Sequence, residues 1–393
     1  MGNAYIVGAV RTPGGRKNGK LSKWHPADLG GLVLDELVER TGANPDSIDD
    51  VIFGCVSQSG AQSGNVARNA VLSSSLPESV PGTTVDRQCG SSQQAIHFAA
   101  QAVMSETQDV VIAGGVEVMS QVPIGAAIVD SYKAGHGQPF DGKGITDRYP
   151  GVHFSQFAGA EMMAKKWGLS REVLDQFALS SHQKAINATE NSYFEREILP
   201  VKGFSASGEE EIILIDEGIR FDASIESLSG LNTLSDEGVL TAGTSSQICD
   251  GAAAVMLVND RGLEKLGLTP RAKVVALALA GDDPVIMLTG PIPATKNVLE
   301  KANMKIEDIN LYEVNEAFAP VPLAWAEESK ADIEKLNVNG GAMALGHPLG
   351  GTGAKLMTTL LHELERRQET FGLQAICEGG GTANAMIIER IVS

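Results

Sequence analysis

The chain predicts an α/β protein built from two similar halves related by a pseudo-twofold axis, with a loop-rich domain between them. Three observations carry this. Over residues 1–120, buried strand-like runs alternate with helix-like stretches, the pattern of layered α/β folds. The same order of motifs returns after residue 270. Between the two, residues 121–243 lose the alternation, and Gly, Pro and Asp crowd the stretch up to residue 151. Long loops in compact proteins tend to be functional, and this one is expected to be loops and short helices forming a lid over a substrate. A length of 393 residues accommodates two or three domains.

The first half opens on AYIVGAV (4–10), a strand. Residues 28–40 read as a helix, with Leu29, Leu32, Val33 and Leu37 at helical spacing. DVIFGCV (50–56) and DVVIAGGV (109–116) are further buried strands. Between them a helix starts near Cys89, with Ile96, Ala99, Ala100 and Val103 along one face. Residues 244–269 return to this half, and 270–393 form the second. There INLYEVNEAFAP (309–320) repeats DVIFGCVSQSG as a strand leading into a polar turn. The stretch from VNGGAMALGHPLGGTGAK repeats VDRQCGSSQQA as a turn and helix, with Met357, Leu360, Leu361 and Leu364 on one face. LQAICEGGGTANAMIIE repeats DVVIAGGVEVMS, a buried strand ending in glycines. Packing the repeats together brings Cys89, Asn315, His347 and Cys377 to one place, because ligand sites in α/β sheets favour strand carboxyl ends.

Composition narrows the partners. A formal net charge of −18 argues against nucleic acid, so an anionic substrate would need a local Arg or Lys. No apolar run approaches the roughly 18 residues that span a bilayer. The strand-like N-terminus leaves no room for a presequence, and the C-terminal IVS is no peroxisomal address; a cytoplasmic protein is expected. The four cysteines are widely spaced, without a C-x-x-C pair, and read as reduced thiols rather than a metal site or disulfide framework.

Four elements carry the chemistry. Cys89, in DRQCGSSQQA, stands at a helix start, where backbone N–H groups and the helix dipole favour a thiolate. Taken alone it also fits a cysteine packed as a small hydrophobe. His347, in ALGHPLGGTGA, projects from a turn among glycines, while the other six histidines read as structural. Cys377 ends a strand before Glu378 and three glycines whose N–H groups suit an oxyanion; taken alone it fits equally a core cysteine before a glycine turn. Asn315 and Glu316 follow a strand and, taken alone, read as a helix cap, the commoner role for such a pair.

In their order and spacing, CGS at 89–91, NEAF at 315–318, GHP at 346–348 and CEG at 377–379 resemble the thiolase family. DEGIR (216–220), TAGTSSQICDGAAA (241–254) and GPIPAT (290–295) extend the resemblance over essentially the whole chain. It implies the thiolase-like fold and an acyltransferase acting on 3-ketoacyl-CoA, or running the reverse Claisen condensation, with acetoacetyl-CoA among its candidate substrates. By that resemblance His347 activates Cys89, which becomes acylated; His347 and a water held by Asn315 stabilise the departing enolate, and Cys377 is the acid. The N–H groups of Cys89 and Gly379 form a second oxyanion site. Arg220 would contact the CoA nucleotide and Ser246 the pantetheine, although Arg220 also fits a solvated surface charge. No metal and no cofactor is implied, coenzyme A being a substrate, and the family implies a homodimer or homotetramer.

Two departures bear on the acyl chain. Thiolases specialised for acetoacetyl-CoA tend to carry Asn-Ala-Ser-Gly where this chain has Thr244, Ser245, Ser246 and Gln247, and Met-His-Met where it has FSQF (154–157). DRQCGSSQQA is similar to bacterial thiolases that break down branched, cyclic or steroid acids. A ketosynthase-like enzyme would share the fold but use two histidines, and a non-catalytic acyl-CoA binder would have lost one of the four elements.

Overall fold

The computed structural model describes residues 2–205 and 208–392. The first half runs through β1 (Tyr5–Arg11), β2 (Gly15–Arg16), α1 (Pro26–Thr41), β3 (Asp50–Gly54), α2 (Val66–Leu72), β4 (Gly82–Val85), α3 (Ser91–Met104) and β5 (Val110–Val118). The chain then leaves the sheet for α4 (Ala126–Lys133), α5 (Lys143–Arg148), α6 (Gln156–Lys166) and α7 (Arg171–Glu190). A ribbon of β6 (Val201–Phe204) and β7 (Glu210–Ile213) follows, then α8 (Ile225–Ser229). The first half is completed by β8 (Cys249–Val258) and α9 (Asp260–Leu266). The second half is β9 (Ala272–Gly281), α10 (Pro291–Ala302), β10 (Leu311–Val314), α11 (Pro320–Ser329), α12 (Ala342–Leu345), α13 (Thr352–Arg367), β11 (Phe371–Glu378) and β12 (Thr382–Arg390).

Strand order exposes the twofold. The first half reads β4-β3-β5-β8-β1 and the second β10-β11-β12-β9. In each, a parallel pair (β3 with β5, β10 with β11) is followed by two antiparallel pairings. Even β4, parallel to β3, has a counterpart: Leu336 makes a single parallel bridge to Tyr312 of β10. The halves meet edge to edge only through Tyr5–Lys273 and Ile6–Ala272.

So short a junction cannot hold two halves together; side-chain burial does. Helices α3 and α13 lie side by side, and Ile96, Ala99, Val103, Met357, Leu360 and Leu364 fill one core with strand residues of both halves. Each large side chain buried there stabilises the pairing by about 1.5–3 kcal/mol. Glycines at and just before the start of α13 allow the approach. A Cβ on Gly353 would lie 2.2 Å from the Gln93 nitrogen, and one on Gly350 would lie 2.5 Å from the Cys55 Cα.

The intervening segment differs from the expectation of loops and short helices, because α7 runs for 20 residues. Ser170 caps it, accepting from the Val173 N–H, and its inward face carries Leu174, Ala178, Ser181, His182 and Ala185. A buried stripe of Ala, Ser and His has almost no hydrophobic period, which hid the helix from the sequence. Ahead of it, α4 buries none of its residues.

Candidate active site

The site is built where strand ends of the two halves face each other. Cys89 occupies the turn between β4 and α3, half-buried. Gln88 before it takes φ 48°, a left-handed conformation that costs a non-glycine residue on the order of 1–3 kcal/mol. The turn holds because the Asp86 carboxylate accepts from the Gln88 N–H at 2.7 Å, and the Ser91 hydroxyl accepts from the Arg87 N–H at 2.9 Å. Opposite, β11 delivers Cys377 into a buried position. Gly379 lies in the turn to β12, where an added Cβ would stand 3.1 Å from Gln88 Oε1. Its backbone therefore borders the Cys89 turn.

His347 follows α12 and is tied into the scaffold at both ends. Its N–H donates to the Gln247 carbonyl at 3.1 Å. Its Nδ1 lies 2.6 Å from Thr352 Oγ1, and that hydroxyl donates to the Pro348 carbonyl at 2.9 Å. With its own proton committed to Pro348, Thr352 accepts from Nδ1–H, so Nε2 keeps its lone pair. Nε2 stands 3.5 Å from Asn315 Nδ2, and Asn315 Oδ1 is buried without a protein partner. Asn315 caps no helix, since α11 starts only at Pro320. Glu316 is a strut, accepting from Ser181 Oγ, Asn337 Nδ2 and the Met343 N–H.

A buried line of charge anchors the histidine turn. Lys355 Nζ donates to the Leu345 and Gly346 carbonyls and lies 3.6 Å from Asp216. Asp216 takes both NH groups of Arg11, at 2.8 and 3.0 Å, and Arg11 also pairs with Glu197 at 2.6 Å.

Burial, then Glu378, push the Cys89 thiol up to about 12. Burial, then Cys89 and Glu378, hold Cys377 well above the ordinary thiol range. Burial, then Lys355, bring His347 down to about 3. The resting site is thus thiol, neutral imidazole and thiol. This corrects the expectation of a thiolate stabilised by the helix start. A helix N-terminus is worth about 0.3–1 kcal/mol, too little against dehydration of a thiolate beside a carboxyl group. A neutral imidazole that keeps the Nε2 lone pair has the chemistry of a general base.

Arg220 lies exposed between two clefts of about 450 and 370 Å³, both also lined by Asp222 and Gln247. Its N–H donates to His182 Nδ1 at 3.2 Å. Gln247 Nε2 donates to the carbonyls of Gly218 and Met343 at 2.8 and 2.6 Å, which joins the Arg220 segment to the histidine turn. Ser246 is half-buried, and its N–H donates to the Ala317 carbonyl at 2.9 Å. GPIPAT lies at the start of α10 and is scaffold, with Gly290 against Thr382. Four residues near the site were missed from sequence: Thr352, His182, Gln247 as a strut, and the side chain of Glu378. Only Thr352 carried a signal, standing at a helix start five residues after the histidine.

FSQF divides its work. Phe154 packs on Phe140 and Tyr149, each at 5.3 Å, while Phe157 meets Phe318 edge-on at 5.4 Å. Phe157, Met162, Leu169, Leu234 and Val239 line an apolar cleft of about 750 Å³. Among the described residues no group of three or more His, Cys, Asp or Glu is placed to hold a metal, and no helix is long and apolar enough to cross a membrane.

A half-buried thiol, a buried histidine and a second buried thiol are the groups that acyl transfer through a cysteine would use. The comparisons with known proteins place it more narrowly. The thiolase N-terminal domain model matches residues 4–261 and the thiolase C-terminal domain model residues 268–390. The chain is 51% identical to a steroid 3-ketoacyl-CoA thiolase, FadA6, of Mycobacterium tuberculosis, over 100% of this chain and 95% of the relative. It is 41% identical to a 3-ketoacyl-CoA thiolase of Aliivibrio fischeri, over 99% and 100%. Its fold is similar to the crystal structure of human mitochondrial 3-ketoacyl-CoA thiolase, at TM-score 0.89, 33% identity and 99% coverage of both chains. The acetyl-CoA acetyltransferase of Bacillus anthracis gives TM-score 0.88 at 36% identity, over 100% of this chain and 99% of that one. The chain belongs to the thiolase family, and it is an acyltransferase.

Proposed function

We propose that this thiolase works in the degradative direction, cleaving 3-ketoacyl-CoA substrates whose acyl part is larger than that of acetoacetyl-CoA. The roles rest on one observation, the free Nε2 of His347 beside Asn315 in a site that holds two protonated thiols. His347 takes the Cys89 proton, and the thiolate attacks the 3-keto carbon. The bond between carbons 2 and 3 breaks, leaving an acyl group on Cys89 and an acetyl-CoA enolate. The imidazolium Nε2–H and a water on Asn315 hold the enolate oxygen while Cys377 protonates its carbon. The next CoA thiol gives its proton to Cys377 and takes the acyl group, its tetrahedral oxygen held by the N–H groups of Cys89 and Gly379. No further cofactor enters this scheme.

In this reading residues 1–120 with 244–269 form one half, 270–393 the other, and 121–243 the loop domain that borders the CoA path. A homodimer or homotetramer fits two exposed features, the outer edge of β4 and the apolar α4 residues Ile128, Val129 and Tyr132. A cytoplasmic location is part of the same proposal.

Substrate size rests on the apolar cleft beside Phe157 and on the steroid substrate in the name of the relative at 51% identity. Each added methylene that finds a place there is worth about 0.8 kcal/mol, roughly fourfold in kcat/KM. A thiolysis series from acetoacetyl-CoA upward is expected to rise for medium-chain or branched substrates. Activity that peaks at acetoacetyl-CoA and falls with every longer chain would overturn the preference.

Arg220 stands exposed at the two smaller clefts, and in this reading it meets the CoA nucleotide. Arg220→Ala is expected to raise KM for CoA on the order of tenfold, the worth of a charge-assisted hydrogen bond, with kcat nearly unchanged. Its KM would also depend less on salt. An unchanged KM returns Arg220 to a solvated surface charge.

A further inference from the structure

Directly behind the Cys89 turn lies a carboxyl group that the scheme above leaves unused. Glu378 sits at the end of β11 between Cys377 and Gly379, and its side chain is fully buried. Oε2 accepts from the Thr382 hydroxyl at 2.6 Å, while Oε1 has no partner. Oε1 is pressed against the residue that follows the nucleophile: a Cβ on Gly90 would stand 2.0 Å from it. From the neighbouring strand β12, Asn384 Nδ2 donates to the Gly90 carbonyl at 2.9 Å. Two side chains of the second half thus grip Gly90 of the first.

We propose that Glu378 is a positioning residue that sets the reactivity of Cys89: as a carboxylate it keeps the nucleophile a thiol between turnovers, and as a neutral acid it relaxes that hold. The reading rests on Cys89 as nucleophile. A buried carboxylate with one oxygen lacking a donor is costly, and a negative charge so close opposes a second one on Cys89 sulfur. The charged and titratable groups around it are Asp86 and Arg87 from the turn, Cys89 itself, and Cys377 on its own strand; Glu117 acts on Cys89 from the other side. Burial brings Glu378 up to about 7, against the opposing pull of Thr382 and Arg87. Above that pH the carboxylate is charged and disfavours the thiolate; below it the group is neutral and the repulsion is gone. Deprotonation of Cys89 is thereby left to the moment when His347 takes the proton.

The test is alkylation of the whole enzyme by iodoacetamide between about pH 6 and 9, with the labelled cysteine identified by mass spectrometry. Glu378→Gln keeps the shape and removes the charge. Its Cys89 is expected to react on the order of tenfold faster at about pH 8, one unit of thiol pKa, with the difference shrinking towards pH 6. Thr382→Val removes the bond to Oε2, so Glu378 stays neutral to higher pH and Cys89 is expected to change in the same direction by less. This second variant decides the matter if Glu378→Gln does not fold. Cys89 labelled at the same rate and with the same pH profile in the folded variants as in the unchanged enzyme would make Glu378 a structural wedge only. Label at Cys55, Cys249 or Cys377 instead of Cys89 would remove the nucleophile assignment on which the proposal stands.

Discussion

Cys89→Ala is expected to lose thiolysis on the order of 10⁴-fold or more, the scale seen when a covalent nucleophile is removed from a unit that acts together. Incubated with an acyl-CoA, the unchanged enzyme is expected to gain an acyl mass on the peptide that carries residue 89, and the variant none. Among the four cysteines, Cys55 and Cys249 are buried and packed beside the histidine turn: Cys55 Sγ lies 3.8 Å from Glu117, and Cys249 Sγ faces its neighbour's carbonyl at 3.6 Å. Burial pushes both thiols up, Cys249 to about 12. Cys89 alone is partly open to solvent. An adduct found only on Cys55 or Cys249 would sink the assignment.

The second large effect belongs to Cys377. Held well above the ordinary thiol range by its burial, it carries a proton throughout the neutral range, as an acid must. Cys377→Ala is expected to lose about 10²–10⁴ in rate in a selective way. Some acyl-enzyme still forms, because His347 still activates Cys89, but the variant no longer exchanges the α-protons of acetyl-CoA. His347→Ala is expected to lose both reactions together. Normal α-proton exchange in Cys377→Ala, read as uptake of solvent tritium or deuterium into acetyl-CoA, would move the acid elsewhere.

The sequence made the repeat legible because its strands are apolar runs and its two central helices keep a clean apolar stripe, as at Ile96, Ala99 and Val103. The four chemical residues were legible as motif members, since each stands at a strand end or a turn among glycines. What stayed hidden was set by contacts across the fold. The long α7 presents Ala, Ser and His inward, so no hydrophobic period marks it. The tautomer of His347 depends on how Thr352 shares one hydroxyl proton with Pro348, and no spacing rule records that. A helix start can be seen in a sequence, whereas the burial that raises the Cys89 thiol, and then the Glu378 carboxyl brought by the second half, cannot.

That two-part construction has a consequence for how activity returns after denaturation. In the proposed scheme the nucleophile comes from residues before β5, while the base, the acid and the carboxyl group behind the nucleophile all come from after β9. The strands that join them share only two residue pairs. Each half could recover its strands, its helices and most of its circular dichroism while the enzyme remained inert. Catalysis would then appear in step with the closing of the α3–α13 seam, making turnover during refolding a clock for the docking of the halves rather than for their separate folding.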